Sequence, residues 1–146
     1  MVYSEEELRK IADLAVDKGI FIISDEIYEK LIYDGYKHTS IASINSKIKE
    51  QAIIVNGVSK TYAMTGWRIG YTASNAKIAE IMSNIQSHAT SNPNSIAQKA
   101  AEAAITGSQD IVDVMVAEFA KRRDYMVNRI NSIANLSCIQ PNGALS

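Results

Sequence analysis

Two residues that can do chemistry stand close behind apolar segments of the sequence. Asp25 follows the apolar run 20–23 after one serine, and Lys60 comes soon after the apolar run 52–55. Open α/β sheets bind ligands at the carboxyl ends of their strands, so both positions are candidates for a functional site. A lysine in such a place can act as a nucleophilic amine when its surroundings favour the neutral form. Taken singly, a solvated loop acid and a surface lysine explain the two positions more simply.

A third candidate, Arg68, lies eight residues after Lys60 and opens another apolar segment, 68–73. Its guanidinium could bind a phosphate or a carboxylate through paired hydrogen bonds, or it could serve as a structural ion-pair partner. The stretch from Gly57 to Gly70 reads Gly-Val-Ser-Lys-Thr-Tyr-Ala-Met-Thr-Gly-Trp-Arg-Ile-Gly. With a small residue before the lysine and an arginine and a glycine at these spacings, it resembles the pyridoxal-phosphate attachment signature of the class I/II aminotransferases.

The upstream segment Ser-Asp-Glu-Ile-Tyr carries the second half of this resemblance. Asp25 and Tyr28 match the aspartate and tyrosine that hold the pyridine ring of the cofactor in that family. Together with Met-Thr-Gly-Trp-Arg, this segment is most similar to the aspartate aminotransferase branch. The remainder of the chain, through Pro-Asn-Gly-Ala at 141–144, is similar to the same family. The resemblance therefore covers essentially the whole chain.

The resemblance implies a role for each of five residues. Lys60 would form the Schiff base with pyridoxal 5'-phosphate and move a proton between the substrate and the cofactor. Asp25 would keep the ring nitrogen protonated, because a carboxylate favours a neighbouring positive charge. Tyr28 would donate to the phenolic oxygen, while Ser59 and Arg68 would hold the phosphate. The implied reaction moves an amino group between an aspartate-like L-amino acid and a 2-oxo acid, with the cofactor as the electron sink.

The chain departs from the family pattern at one position and in its length. Many members have a serine three residues before the lysine, where this chain has Gly57. A backbone N–H could supply the phosphate contact that is missing. Family members are also much longer than 146 residues. We therefore expect residues 1–146 to be a fragment of the cofactor-binding large domain, without its N-terminal phosphate loop and without the C-terminal small domain. We expect the parent protein to be a homodimer and the isolated fragment to be inactive.

Two other classes of function stay open beside an aminotransferase. The first is another enzyme of the same fold, such as a carbon–sulfur lyase or a cyclopropane-forming synthase. Tyr28 favours transamination over the lyases, since lyase relatives often have histidine at that position. The second is a catalytically inactive fragment that only associates with other chains.

The elements that must position these residues form an α/β pattern. Ser4 and Glu7 have the spacing of a capping box, and Gly19 is placed to end the helix that follows. The apolar runs predict strands that are buried on both faces. The sequence predicts one sheet from strands at 20–24, 52–56 and 68–73, with helices at 75–88, after an Asn92-Pro93 cap, and at 110–133 packing against it. The resemblance implies fold type I, a mostly parallel sheet in which 68–73 runs antiparallel.

Composition narrows the class of protein further. Lys and Arg total 15 against 16 Asp and Glu, and this near-neutral balance argues against nucleic-acid and membrane-surface binding. Cys138 is the single cysteine, and with only His38 and His88 beside it no structural zinc site can be assembled. The N-terminal residues lack a signal-peptide core, and no apolar run is long enough to span a membrane. These observations predict a cytoplasmic protein with no bound metal.

Overall fold

The computed structural model describes residues 2–144 of the chain. Within them, five α-helices and three β-strands follow in the order α1 (Glu5–Lys18), β1 (Ile22–Asp25), α2 (Ser46–Gln51), β2 (Ala52–Gly57), β3 (Gly70–Ala73), α3 (Ala76–Ala89), α4 (Ser95–Thr106) and α5 (Asp110–Asn131). Short 3₁₀ turns at Ile41–Ser43 and Thr65–Trp67 lie before α2 and before β3. No helix in this described part of the chain has both the length and the hydropathy to cross a bilayer.

The three strands form one mixed sheet in the order β1-β2-β3. β1 pairs parallel to β2, with Asp25 opposite Val55, and β2 pairs antiparallel to β3, with Gly57 opposite Gly70. The predicted single sheet with a reversed third strand is therefore confirmed. β3 begins two residues later than predicted because Arg68 has left-handed backbone angles, φ 56° and ψ 45°, which an extended strand cannot contain.

The first helix forms for the local reasons that its sequence indicates. The Ser4 hydroxyl accepts a hydrogen bond from the Glu7 N–H at 3.3 Å, and the Glu7 carboxylate accepts one from the Ser4 N–H at 2.8 Å. Gly19 ends the helix with φ 63°, in the left-handed region that favours glycine. The buried face of α1 packs on α2, on the first 3₁₀ turn and on the start of β2, through Leu8, Ala12, Ala15, Ile41, Ile48 and Ala52.

The start of α4 differs from the prediction. The helix begins at Ser95, and its N-cap is Asn94 rather than Asn92. The Asn94 carboxamide oxygen accepts from the N–H groups of Ile96 at 2.9 Å and Ala97 at 3.1 Å. The Asn92 side chain instead donates to the carbonyl of Pro93 at 2.9 Å. Asn94 caps the helix because its oxygen reaches two unpaired donors of the first turn.

Burial of the sheet also differs from the prediction. Phe21 is 57% exposed and Ile23 is 72% exposed, so the first apolar run is not covered on both faces. Every residue of β3 is exposed, and α3 contributes no buried residue to the described structure. Of the helices after residue 75, α3 reaches the sheet, where the Thr72 hydroxyl lies 3.9 Å from the Met82 sulfur. The tight apolar packing nevertheless comes from α1 and α2.

Candidate functional site

Three strand ends meet at one edge of the sheet and carry the candidate residues there. β1 ends at Asp25 and β2 ends at Gly57, and because these strands are parallel both carboxyl ends lie at the same edge. β3 runs the other way, so its amino end at Gly70 lies at that edge too. The segment 58–69, which contains the lysine of the attachment signature, therefore leaves the sheet and returns to it at this edge. This is the placement that a ligand site on an open α/β sheet requires.

Lys60 and Tyr28 are brought into contact at this edge. The Lys60 Nζ atom lies 5.4 Å from the centre of the Tyr28 ring and over its face. Lys60 is half-buried in a turn that begins after Val58, where the Tyr62 N–H donates to the Val58 carbonyl at 3.2 Å. Among residues 2–144, no carboxylate forms an ion pair with this amine within 4.0 Å. The amine is thus held by an aromatic face and is free of a carboxylate partner in this part of the chain.

Asp25 and Tyr28 share a turn directly after β1. One Asp25 carboxylate oxygen, Oδ1, accepts a hydrogen bond from the Ile27 N–H at 3.1 Å, which fixes the side chain against its own backbone. Tyr28 is half-buried, and its carbonyl accepts from the Leu31 N–H at 2.9 Å. Both side chains line a cavity of about 190 Å³ in which Glu26 and His38 also take part. Asp25 is exposed, so its second carboxylate oxygen is open to a ligand.

Arg68 opens onto a different cavity. Its guanidinium donates to the Thr65 carbonyl at 2.9 Å, and together with Trp67 and the segment 92–94 it lines a space of about 780 Å³. A non-glycine residue with left-handed backbone angles costs about 1–3 kcal/mol, a strain that often marks functional positions. Ser59, Lys60 and Arg68 all belong to the segment 58–69, and none of the three lines the cavity of Asp25 and Tyr28.

The structure explains the glycine that replaces the family serine. A Cβ atom added to Gly57 would lie 2.8 Å from the Ile69 carbonyl oxygen and 3.0 Å from the Gly70 Cα. The backbone of β3 therefore leaves no room for a side chain. The Gly57 N–H already donates to the Asn56 carboxamide oxygen at 2.7 Å. The Gly57 N–H is therefore already engaged in this structure, and the replacement of the serine contact by a backbone N–H stays a prediction.

Sequence reasoning missed Glu26 and assigned no partner to His38. Glu26 is 7% exposed, and its carboxylate accepts from Ser24 Oγ at 3.1 Å, Ser40 Oγ at 2.9 Å and His38 Nε2 at 2.9 Å. Burial alone would raise the pKa of Glu26, but the hydrogen bonds from His38, Ser40 and Ser24 outweigh it and hold the pKa below its usual value. The one available signal was the position of Glu26, between two candidate residues in Ser-Asp-Glu-Ile-Tyr.

Comparison with known proteins places this geometry among the aminotransferases. The chain is 47% identical over 144 residues to an aspartate aminotransferase of Bacillus sp. strain YM-2, covering 99% of this chain. It is 42% identical over 144 residues to an asparagine–oxo-acid transaminase of Streptococcus mutans, again over 99% of this chain. The crystal structure of the aspartate aminotransferase from Rhizobium meliloti superposes on 97% of the chain with a TM-score of 0.94 and 38% identity.

The match covers almost all of this chain but only part of the length of each relative. The chain spans 37% of the length of both curated relatives and 36% of the Rhizobium meliloti structure. The family model described as "Aminotransferase class I and II" matches residues 1–146. The mixed sheet and the lysine-bearing turn of this chain agree with the family match. The chain belongs to the class I and II aminotransferase family.

Proposed function

We propose that this chain carries the cofactor-attachment region of a pyridoxal-phosphate-dependent aminotransferase that acts on an aspartate-like L-amino acid and a 2-oxo acid. The observation that supports it most directly is the amine of Lys60 over the ring of Tyr28, at the sheet edge where β1 ends with Asp25. An amine, a phenol and a carboxylate at the carboxyl ends of two neighbouring parallel strands are the groups that the cofactor's aldehyde, phenolic oxygen and ring nitrogen require.

Pyridoxal phosphate, when bound, would supply an electron sink for bonds at the α-carbon of the amino acid. Lys60 would be the attachment amine and would afterwards move the proton at the α-carbon. Asp25 would hold a proton on the ring nitrogen with the carboxylate oxygen that the Ile27 N–H leaves open. Tyr28 would donate its hydroxyl hydrogen to the phenolic oxygen of the ring.

Ser59 and Arg68 would bind the phosphate in this proposal. Arg68 has five N–H donors, and the contact with the Thr65 carbonyl uses a single nitrogen, so further donors are available to an anion. The Ser59 hydroxyl belongs to the same turn as Lys60. A hydroxyl and a guanidinium fit a phosphate chemically, since both donate hydrogen bonds to its oxygens.

The aspartate-like substrate is proposed from the relatives, because the aspartate aminotransferase of Bacillus sp. strain YM-2 shares 47% of its aligned residues with this chain. A carbon–sulfur lyase is the second candidate, and Tyr28 argues against it. We also propose that residues 1–146 form part of a large domain whose whole protein is a cytoplasmic homodimer. The chain spans 37% of its relatives' length, so catalysis is proposed for the whole protein and inactivity for this chain alone.

Cofactor trapping tests the attachment role without requiring turnover. The 146-residue chain is incubated with limiting pyridoxal phosphate, reduced with borohydride and mapped by peptide mass spectrometry. We expect the label on Lys60, its loss in Lys60→Arg and no change in Lys49→Arg, which alters an exposed lysine of α2. A label spread evenly over surface lysines would contradict the proposal. A keto-acid assay on the full-length parent then separates a transaminase from a lyase.

A further inference from the structure

Glu26 is a buried carboxylate at the edge of the proposed site that the proposed chemistry does not use. It follows Asp25 directly, and it is 7% exposed while Asp25 itself is exposed. Burying a carboxylate costs folding free energy unless hydrogen bonds or an opposite charge satisfy its oxygens. The partners of Glu26 therefore indicate what it does beside a candidate cofactor ligand.

Every described contact of Glu26 holds the same short piece of backbone in place. Its Oε1 atom accepts from the hydroxyls of Ser24, at 3.1 Å, and Ser40, at 2.9 Å. Its Oε2 atom lies 2.9 Å from His38 Nε2. Its N–H donates to the Val55 carbonyl at 2.8 Å and so continues the pairing of β1 with β2 by one residue. Side chain and main chain together tie the turn to the segment 38–40 and to β2.

The ionised state of Glu26 determines which ring nitrogen of His38 carries a hydrogen. A carboxylate can only accept hydrogen bonds, so Nε2 of His38 must carry the hydrogen, whether the ring is neutral or protonated. Glu29 also faces this pair, since one carboxylate oxygen of Glu29 lies within 4.8 Å of a carboxylate oxygen of Glu26 and of a ring nitrogen of His38. Asp25 and Tyr28 line the same cavity. The charges that bear on the pair therefore belong to the turn itself and to the segment that carries His38.

We propose that Glu26 is a positioning residue, with His38 as its partner, that fixes the turn from which Asp25 and Tyr28 reach the proposed cofactor. The inference rests on the proposed function of those two residues. Ile27 transmits the effect, because its N–H holds the Asp25 carboxylate at 3.1 Å and its backbone links Glu26 to Tyr28.

Glu26→Ala tests the positioning of the turn without any cofactor. The amide of Ile27 is expected to lose about tenfold in hydrogen-exchange protection relative to β2 amides, because the turn opens locally. The matched control is Ile48→Val, a fully buried core position on α2 that lowers stability away from the turn. If Glu26→Ala changes exchange no more than Ile48→Val does, the inference is overturned, whatever Lys60 does with the cofactor.

Glu26→Gln tests whether the hydrogen bonds themselves position the turn. Its amide oxygen can still accept from the serines, and its NH₂ can donate to a neutral His38 whose Nε2 lacks a hydrogen. Protection of Ile27 should therefore stay close to that of the wild type in Glu26→Gln, although it falls in Glu26→Ala. An equal loss of protection in both variants would contradict the proposal.

Cofactor trapping completes the test and keeps the two proposals separable. Where wild-type Lys60 traps pyridoxal phosphate, Glu26→Ala should lower the yield further than Ile48→Val does, by about tenfold if the ring contacts are lost. An undiminished yield in a chain whose turn has opened would overturn the link from Glu26 to the site. Failure of the wild type to label Lys60 would instead count against the proposed function and leave the exchange results to decide the role of Glu26.

Discussion

The amine of Lys60 lies over the Tyr28 ring, 5.4 Å from its centre, although the two residues come from turns that follow different strands. The parallel pairing of β1 with β2 makes this contact possible, because it places both turns at one sheet edge. The contact gives the proposed attachment lysine a defined position before any cofactor binds. It also ties the reactivity of Lys60 to the identity of residue 28.

Substituting Tyr28 should therefore change the reactivity of the Lys60 amine. A ring under an ammonium stabilises it by about 0.5–1 kcal/mol, so Tyr28→Ala should raise acylation of Lys60 about two- to fivefold. Tyr28→Phe keeps the aromatic face and should leave the rate near that of the wild type. A limiting amount of an amine-reactive ester followed by mass mapping measures this, with Lys49 as an internal reference. Equal rates in the alanine and phenylalanine variants would show that the aromatic ring does not stabilise the Lys60 ammonium.

Replacing Gly57 by the serine that many family members have at this position should lower the stability of this chain. In Gly57→Ser the new Cβ would lie 2.8 Å from the Ile69 carbonyl oxygen, and such overpacking costs about 1–3 kcal/mol. Chemical denaturation should show this loss, whereas Gly66→Ala should cost far less, since a Cβ there meets nothing within 4 Å. A serine variant as stable as the wild type would mean that β3 can move away from β2 at no cost.

The contact between Asp34 and Arg123 should make stability depend on pH in the acid range. Arg123 is 3% exposed and donates to both Asp34 oxygens, at 2.7 and 3.0 Å, and these hydrogen bonds lower the pKa of Asp34 from 3.8. A lowered pKa means that the contribution is complete above pH 3.8 and is lost as the pH falls through the folded-state value. At neutral pH the wild type should therefore have a larger free energy of unfolding than Asp34→Asn. In acid the two free energies should converge.

Urea unfolding at a series of pH values measures this difference. Asp13→Asn, which changes an exposed carboxylate of α1, is the control and should run parallel to the wild type. A difference between wild type and Asp34→Asn that persists unchanged in strong acid would show that the contact with Arg123 does not stabilise through the charge on Asp34.

The uncovered strand β1 should promote self-association of the 146-residue chain. Ile23 is 72% exposed on an edge strand, and an exposed apolar strand edge can pair with another copy. Ile23→Lys should shift sedimentation toward the monomer. Ile139→Lys, at a position that is 92% exposed and outside the sheet, should have a smaller effect. Equal effects of the two substitutions would indicate nonspecific hydrophobic association rather than pairing through β1.

The 146-residue chain should not catalyse transamination between aspartate and 2-oxoglutarate. It spans 37% of the length of its curated relatives, and incomplete positioning of reactants forfeits much of the roughly 7–11 kcal/mol that orientation can supply. A coupled assay on purified chain, with Lys60→Arg as the blank, checks this. Turnover that depends on Lys60 would show that the residues present suffice for catalysis.

Signals that lie within a few residues of each other were sufficient to predict much of the fold. The capping box of Ser4 and Glu7, the left-handed Gly19 and the apolar runs of β1 and β2 act through neighbours in the chain, so the sequence alone indicates them. The antiparallel direction of β3 came from the family resemblance. The roles of Asp25, Tyr28, Ser59, Lys60 and Arg68 came from it as well, and they stay predictions.

Tertiary structure decided the contacts between residues that are distant in sequence. His38 reaches Glu26 across 12 positions and Arg123 reaches Asp34 across 89, and no periodicity in the chain encodes either pairing. The clash that excludes a side chain at Gly57 exists only because β3 lies against the end of β2. Such contacts depend on the path of the loops between the elements. Hydrogen bonding and close packing become specific only once that path has brought the partners within a few ångströms.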